Sequence, residues 1–136
     1  MPELSVDTRF AFQPLVNLHT GGVVAMEMLA RPAHCDVLSL LDSAARTGEL
    51  AQLDVALAVA AAHWSSKHET LLPLHLNLTA DTVAAAQMLS PLHRVLHRAG
   101  RQPHHTVLEI SPARTALQPE LVLTGLRQLR ACSEIS

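Results

Sequence analysis

The chain has 136 residues, 49% of them apolar and 2% aromatic, with a formal charge of −2. That length predicts one domain, and the absence of a basic stripe or an aromatic stacking platform excludes polymeric nucleic acid as a partner. No apolar run approaches the roughly 18 residues of a membrane helix and no signal-peptide block opens the sequence, while Cys35 and Cys132, at no metal or disulfide spacing, fit a reducing cytoplasm.

Met1–Thr8 reads as a short mobile leader, and residues 9–136 as the domain. Arg9–Val16 is an opening strand. His19-Thr20-Gly21-Gly22 is a turn signal whose two glycines can both take positive φ, so the first two strands form a hairpin. After Arg31-Pro32 the pattern turns helical from Val37 to Arg46, with Gly48 placed for a left-handed cap. Leu50, Leu53, Leu57, Ala60, Ala61 and Trp64 recur at helical spacing, with Trp64 as core or helix-end packing. Lys67, His68 and Glu69 read as a solvated linker.

Leu72 to Leu78 alternates as a strand, with leucines on one face and His75 and Asn77 on the other. Thr79-Ala80-Asp81 begins another helical stretch, and Ser90-Pro91 starts a helix with Leu92, Val95, Leu96 and Ala99 inward, ending at Gly100. His104-His105 is loop, Thr106–Ser111 is strand, and Pro119–Ala131 is a last helix. His93 and His97, one helical turn apart, have no third ligand in view and read as a solvated face. The order is therefore β-β-α-α-β-α-β-α.

Three strand-like runs each carry a lone oxygen-bearing side chain near the C-terminal end: Glu27, Asn77 and Glu109. An unpaired carboxylate is costly to bury. Strands separated by helices bring such ends together at one rim of a parallel sheet, where chemistry sits in α/β folds. Two carboxylates and an amide carbonyl are also the donors that a hard cation such as Mg²⁺ or Mn²⁺ prefers. Taken singly, each has an ordinary alternative: Glu27 paired with Arg31, Asn77 hydrogen bonded at a strand end, Glu109 paired with Arg114 or capping the next helix.

Phe12-Gln13-Pro14-Leu15-Val16, Glu27-Met28-Leu29-Ala30-Arg31, Leu76-Asn77-Leu78-Thr79 and Leu108-Glu109-Ile110-Ser111 resemble, in order and spacing, the Tyr-Gln-Pro-Ile-Val, Glu-Ala-Leu-Leu-Arg, Val-Asn-Leu-Ser and Leu-Glu-Ile-Thr motifs of EAL domains, the cyclic di-GMP phosphodiesterases. The resemblance runs from about Arg9 to Ala131. It implies an α/β fold, the first half of a TIM-type β/α barrel. It also implies Glu27, Asn77 and Glu109 as ligands of divalent metal (Mg or Mn), and Gln13, Leu29 and Arg31 as nucleotide contacts, Arg31 through phosphate.

Two positions depart from the family pattern: Met28 adds bulk beside Glu27, and Pro112 stands where a second acidic residue is usual. The family's next strand ends in Asp-Asp-Phe-Gly and brings further metal ligands, and such barrels take about 250 residues. The sequence stops at Ser136 before any such pair, and Asp7, Asp36, Asp42, Asp54 and Asp81 fall in the leader, helices or caps. The expectation is a metal site not completed in cis, with no catalytic set in the isolated chain. A half-barrel would leave an open edge at Val107–Ile110 for self-association or a protein partner. The function expected is a cytoplasmic regulator of cyclic di-GMP signalling that binds nucleotide or protein. The alternatives are a phosphodiesterase completed by another chain, or a remnant without a role.

Overall fold

A computed structural model describes residues 8–66, 72–98, 106–130 and 134–135. The leader up to Asp7, the Lys67–Glu69 linker, Ala99, Gly100, His104-His105, Ala131 and Cys132 lie outside the described residues. Strand β1 (Arg9–Val16) and β2 (Val23–Arg31) form the expected antiparallel hairpin. Its turn is held by Asn17, whose Oδ1 accepts from the backbone N–H of His19 at 2.8 Å and of Thr20 at 3.3 Å. Of the two turn glycines only Gly21 takes positive φ, 72°; Gly22 closes the turn through its carbonyl to Asn17 N–H at 2.9 Å.

Helix α1 (Val37–Thr47) starts on Asp36, whose side chain accepts from Ser39 N–H at 2.7 Å. It stops at Gly48, at φ 75°, as the sequence predicts. Helix α2 (Leu50–Ser66) buries Leu53, Val55, Leu57, Ala58, Ala61 and Ala62. A helix buried on most of its circumference needs small residues where neighbours press close, and the alanines provide them. At its far end Trp64 stacks on Phe12, ring centroids 6.4 Å apart, and donates from Nε1 to the Phe10 carbonyl at 3.4 Å, tying the helix to β1.

Strand β3 (Leu74–Thr79) sends Leu74, Leu76 and Leu78 into the core. Short helix α3 (Ala80–Ala84) follows, then a 3-10 turn (Ala86–Met88), α4 (Ser90–Arg98), β4 (Thr106–Ser111) and α5 (Pro119–Arg130). Helices α3 and α5 touch with almost no gap: Gly125 lies so near Val83 that an added Cβ would stand 1.8 Å from its carbonyl oxygen. His93 on α4 is half-buried rather than fully solvated, and its Nε2 has no hydrogen-bond partner among the described residues.

The strands run in the order β1-β2-β3-β4-β5, parallel from β2 onward. The fold is the α/β, half TIM-type barrel expected from sequence. The expected open edge at Val107–Ile110 is covered over half its length, at Val107 and Leu108. The chain leaves α5 and returns as β5 (Glu134–Ile135), pairing in parallel with Val107 and Leu108. Thr106, Val107 and Leu108 are buried, and the exposed large apolar side chains lie elsewhere, at Val16, Leu18, Val23 and Val24 of the hairpin, Leu38 of α1, and Leu121 and Leu123 of α5. Glu109 and Ile110 have no ladder partner on the β5 side among the described residues.

Candidate functional site

Ladder partners point to the same side of a sheet. The register sets Gln13 opposite Glu27, Glu27 opposite His75, and Asn77 opposite Glu109. These side chains therefore share the face turned away from the leucine core. Strands β2 and β3 pair only at Met26–Leu74 and Glu27–His75. Beyond that point the Asn77 side chain spans the gap, donating from Nδ2 to Glu27 Oε2 at 3.3 Å and to the Met28 carbonyl at 3.5 Å.

A cleft of about 250 Å³ opens at this place. Glu27, Leu29, Arg31, Asn77, Ser111 and Arg114 line its rim, and Leu57, Ala58, Ala61 and Asp54 of α2 its floor. Of the residues singled out from sequence, Glu27, Leu29, Arg31 and Asn77 meet here. Gln13 sits across the ladder from Glu27, outside the cleft lining. Glu109 turns to His75, whose Nδ1 lies 2.6 Å from Glu109 Oε1; a carboxylate only accepts, so Nδ1 carries the proton.

Of the ordinary pairings considered for these groups, the strand-end hydrogen bonding of Asn77 forms, whereas Glu27–Arg31 and Glu109–Arg114 do not. Arg31 Nη1 donates at 3.1 Å to the carbonyl of its neighbour Ala30, not to Glu27. Arg114 reaches Asp42 on α1 rather than Glu109. Met28, expected to crowd Glu27, is 3% exposed and packs in the core cluster, from which it also lines the cleft.

Asp54, set aside from sequence as a helix position, is a central feature. It is 4% exposed. Its Oδ2 accepts from Thr79 N–H at 2.7 Å, Thr79 Oγ1 at 2.9 Å and Thr82 Oγ1 at 2.6 Å. The protons are consistent: with both hydroxyls donating to Asp54, Thr79 Oγ1 is left to accept from Thr82 N–H at 3.3 Å. Burial pushes the Asp54 carboxyl above its usual pKa, and the three hydrogen bonds only partly oppose this. Oδ1 has no partner among the described residues. A signal for this was present in the sequence: Asp54 falls within the apolar stripe of Leu50, Leu53, Leu57 and Ala61, where a solvated carboxylate does not belong.

Asp81 plays the complementary part on the β4–α5 loop. Its Oδ1 accepts from Arg114 N–H at 2.8 Å, and its Oδ2 from Thr115 N–H at 2.9 Å and from the Thr115 hydroxyl. Burial alone would raise this carboxyl, but the hydrogen bonds outweigh it and hold the pKa below the usual range.

Two carboxylates and an amide on one sheet face form an oxygen-donor set suited to a hard divalent cation. Among the described residues no three His, Cys, Asp or Glu side chains cluster closely enough to hold a metal by themselves. Asn77 joins Glu27 directly, while Glu109, the ladder partner of Asn77, turns to His75.

A model of the EAL domain family matches residues 5–132. Among solved structures, the PaMucR phosphodiesterase in complex with c-di-GMP is similar at 23% identity and a TM-score of 0.78, over 95% of this chain and 58% of that one. The manganese and cyclic di-GMP complex of BlrP1 from Klebsiella pneumoniae is similar at 18% identity and 0.78, over 99% and 35%. A standalone EAL protein from Vibrio cholerae O395 in its c-di-GMP-bound form gives 18% and 0.72, over 93% and 55%. The chain thus spans from about a third to under two thirds of each of these structures. No curated protein matches the sequence. Among the described residues no helix is long and apolar enough to cross a membrane.

Proposed function

The chain belongs to the EAL domain family, and on that premise we propose that it serves cyclic di-GMP signalling by binding the dinucleotide in the cleft at the ends of β2 and β3. The observation that carries this reading is the Asn77–Glu27 bridge at the mouth of a cleft that also holds Arg31. Arg31 keeps most of its guanidinium donors free among the described residues, and a guanidinium matches a phosphodiester oxygen pair. The unpartnered Oδ1 of Asp54 gives the floor an acceptor for the N–H edge of a purine, while Leu57 and Ala58 give a base an apolar wall.

A divalent cation fits beside Glu27, Asn77 and Glu109, as manganese and calcium accompany cyclic di-GMP in BlrP1 complexes. Bound there, such an ion neutralises phosphodiester charge and acidifies a water. Three protein donors, one of them drawn to His75, leave the rest of the ion's sphere to water and ligand oxygens.

The test is a calorimetric titration of cyclic di-GMP into the purified chain with Ca²⁺ present. Saturable micromolar binding that is lost in Glu27→Ala and in Arg31→Ala supports the reading; absence of binding refutes it. A parallel incubation with Mn²⁺ that yields linear dinucleotide would instead make the chain an active phosphodiesterase.

A further inference from the structure

We propose that Arg114 is a second phosphate-binding guanidinium of the cleft, kept in reserve by Asp42. This rests on the reading of the cleft as the dinucleotide site. The backbone of Arg114 is fixed independently of its side chain, because Asp81 holds the N–H groups of both Arg114 and Thr115. From that anchored position the side chain crosses to Asp42 on α1, while Arg114 also lines the cleft.

The two partners differ in exposure: the Arg114 side chain is 24% exposed and Asp42 55%. The carboxylate lies toward water and the guanidinium toward the cleft. An ion pair with one solvated partner contributes little, so exchanging Asp42 for a phosphate requires little energy. A bidentate guanidinium–phosphate pair in a cleft with apolar walls is the stronger interaction. The cleft thereby offers two guanidiniums, Arg31 and Arg114, and a cyclic dinucleotide carries two phosphodiesters. Arg114 also offsets the Glu27 and Asp54 carboxylates, which alone would repel an anionic ligand.

A double-mutant cycle read by calorimetry tests this. Arg114→Ala is expected to weaken cyclic di-GMP binding about tenfold, the loss of a charge-assisted hydrogen bond. Asp42→Asn is expected to tighten it about threefold by releasing the guanidinium. The double variant should then bind as Arg114→Ala does, because Asp42 acts only through Arg114. Arg114→Lys should fall between, keeping charge but losing the fork. Wild-type affinity in Arg114→Ala, or a tightening by Asp42→Asn that persists in the double variant, overturns the proposal. If the wild type binds and Arg31→Ala abolishes it while all Arg114 and Asp42 variants leave it unmoved, this proposal alone fails. No binding by the wild type removes the cleft reading and this proposal together. Far-UV circular dichroism melts identify any variant that fails to fold; Arg114→Lys and Asp42→Asn then carry the test.

Discussion

Replacing Gly125 by alanine sets two effects of opposite sign against each other. In a solvent-exposed helix interior the change would stabilise by about 1 kcal/mol, through helix propensity. Here the new Cβ would lie 1.8 Å from Val83 O, 2.8 Å from Val83 C and 2.9 Å from Val83 Cγ1. The first two atoms are backbone and cannot rotate aside. Ordinary carbon contacts begin near 3.5 Å, so α5 and α3 must part by roughly 1.5 Å. Overpacking of this kind costs about 1–3 kcal/mol, or more where backbone must move. Displacing α3 would also pull Asp81 from the loop it holds through Arg114 and Thr115. The expected net result is a loss of about 2 kcal/mol, read as a lower urea midpoint at unchanged slope. Thr124→Ala, one residue away and exposed, is the control: it loses only a hydroxyl bond to the Glu120 carbonyl and should shift stability by under about 0.5 kcal/mol. A Gly125→Ala midpoint equal to or above that of the wild type would refute the close-packing argument.

Asp54→Ala leaves Thr79 N–H and the Thr79 and Thr82 hydroxyls without their acceptor; it should cost about 3 kcal/mol in urea unfolding, and Asp54→Asn, which keeps an acceptor, clearly less. The two buried carboxyls predict opposite pH slopes. Asp54 has a folded pKa raised above 3.8, so its contribution is complete below that pH and lost as pH rises through the raised value. Asp81 has a folded pKa lowered below 3.8, so its contribution is present above that pH and lost as pH falls through the lowered value. Stability should therefore decline less as pH rises above 3.8 in Asp54→Asn, and less as pH falls below 3.8 in Asp81→Asn, than in the wild type. Gly48→Ala, with φ 75° and open space around it, should lose about 1 kcal/mol to left-handed strain alone, measured by the same unfolding.

Much of this fold was legible because its signals are local. The Leu72–Leu78 alternation, the turn glycines and the Gly48 cap report on backbone conformations that a few neighbouring residues decide. The short motifs around Glu27, Asn77 and Glu109 placed three oxygen donors at strand ends, and parallel pairing brings such ends to one rim. The β5 return was not legible: a two-residue strand has no periodicity to read, and its partner lies 27 positions earlier, from Val107 to Glu134. The burial of Asp54 was overlooked because a carboxylate in a helix is usually solvated, and only the packing of Thr79 and Thr82 against α2 makes it an internal acceptor.

Strand positions, the hairpin, the Gly48 helix stop and the oxygen-bearing strand ends are thus properties of the sequence by itself, since short-range sterics and hydrophobic periodicity set them. Which groups meet is decided only in three dimensions. Glu27 meets Asn77 rather than Arg31, Glu109 meets His75, and Arg114 spans to Asp42, because strand register and helix packing join residues dozens of positions apart, and no local pattern encodes those distances.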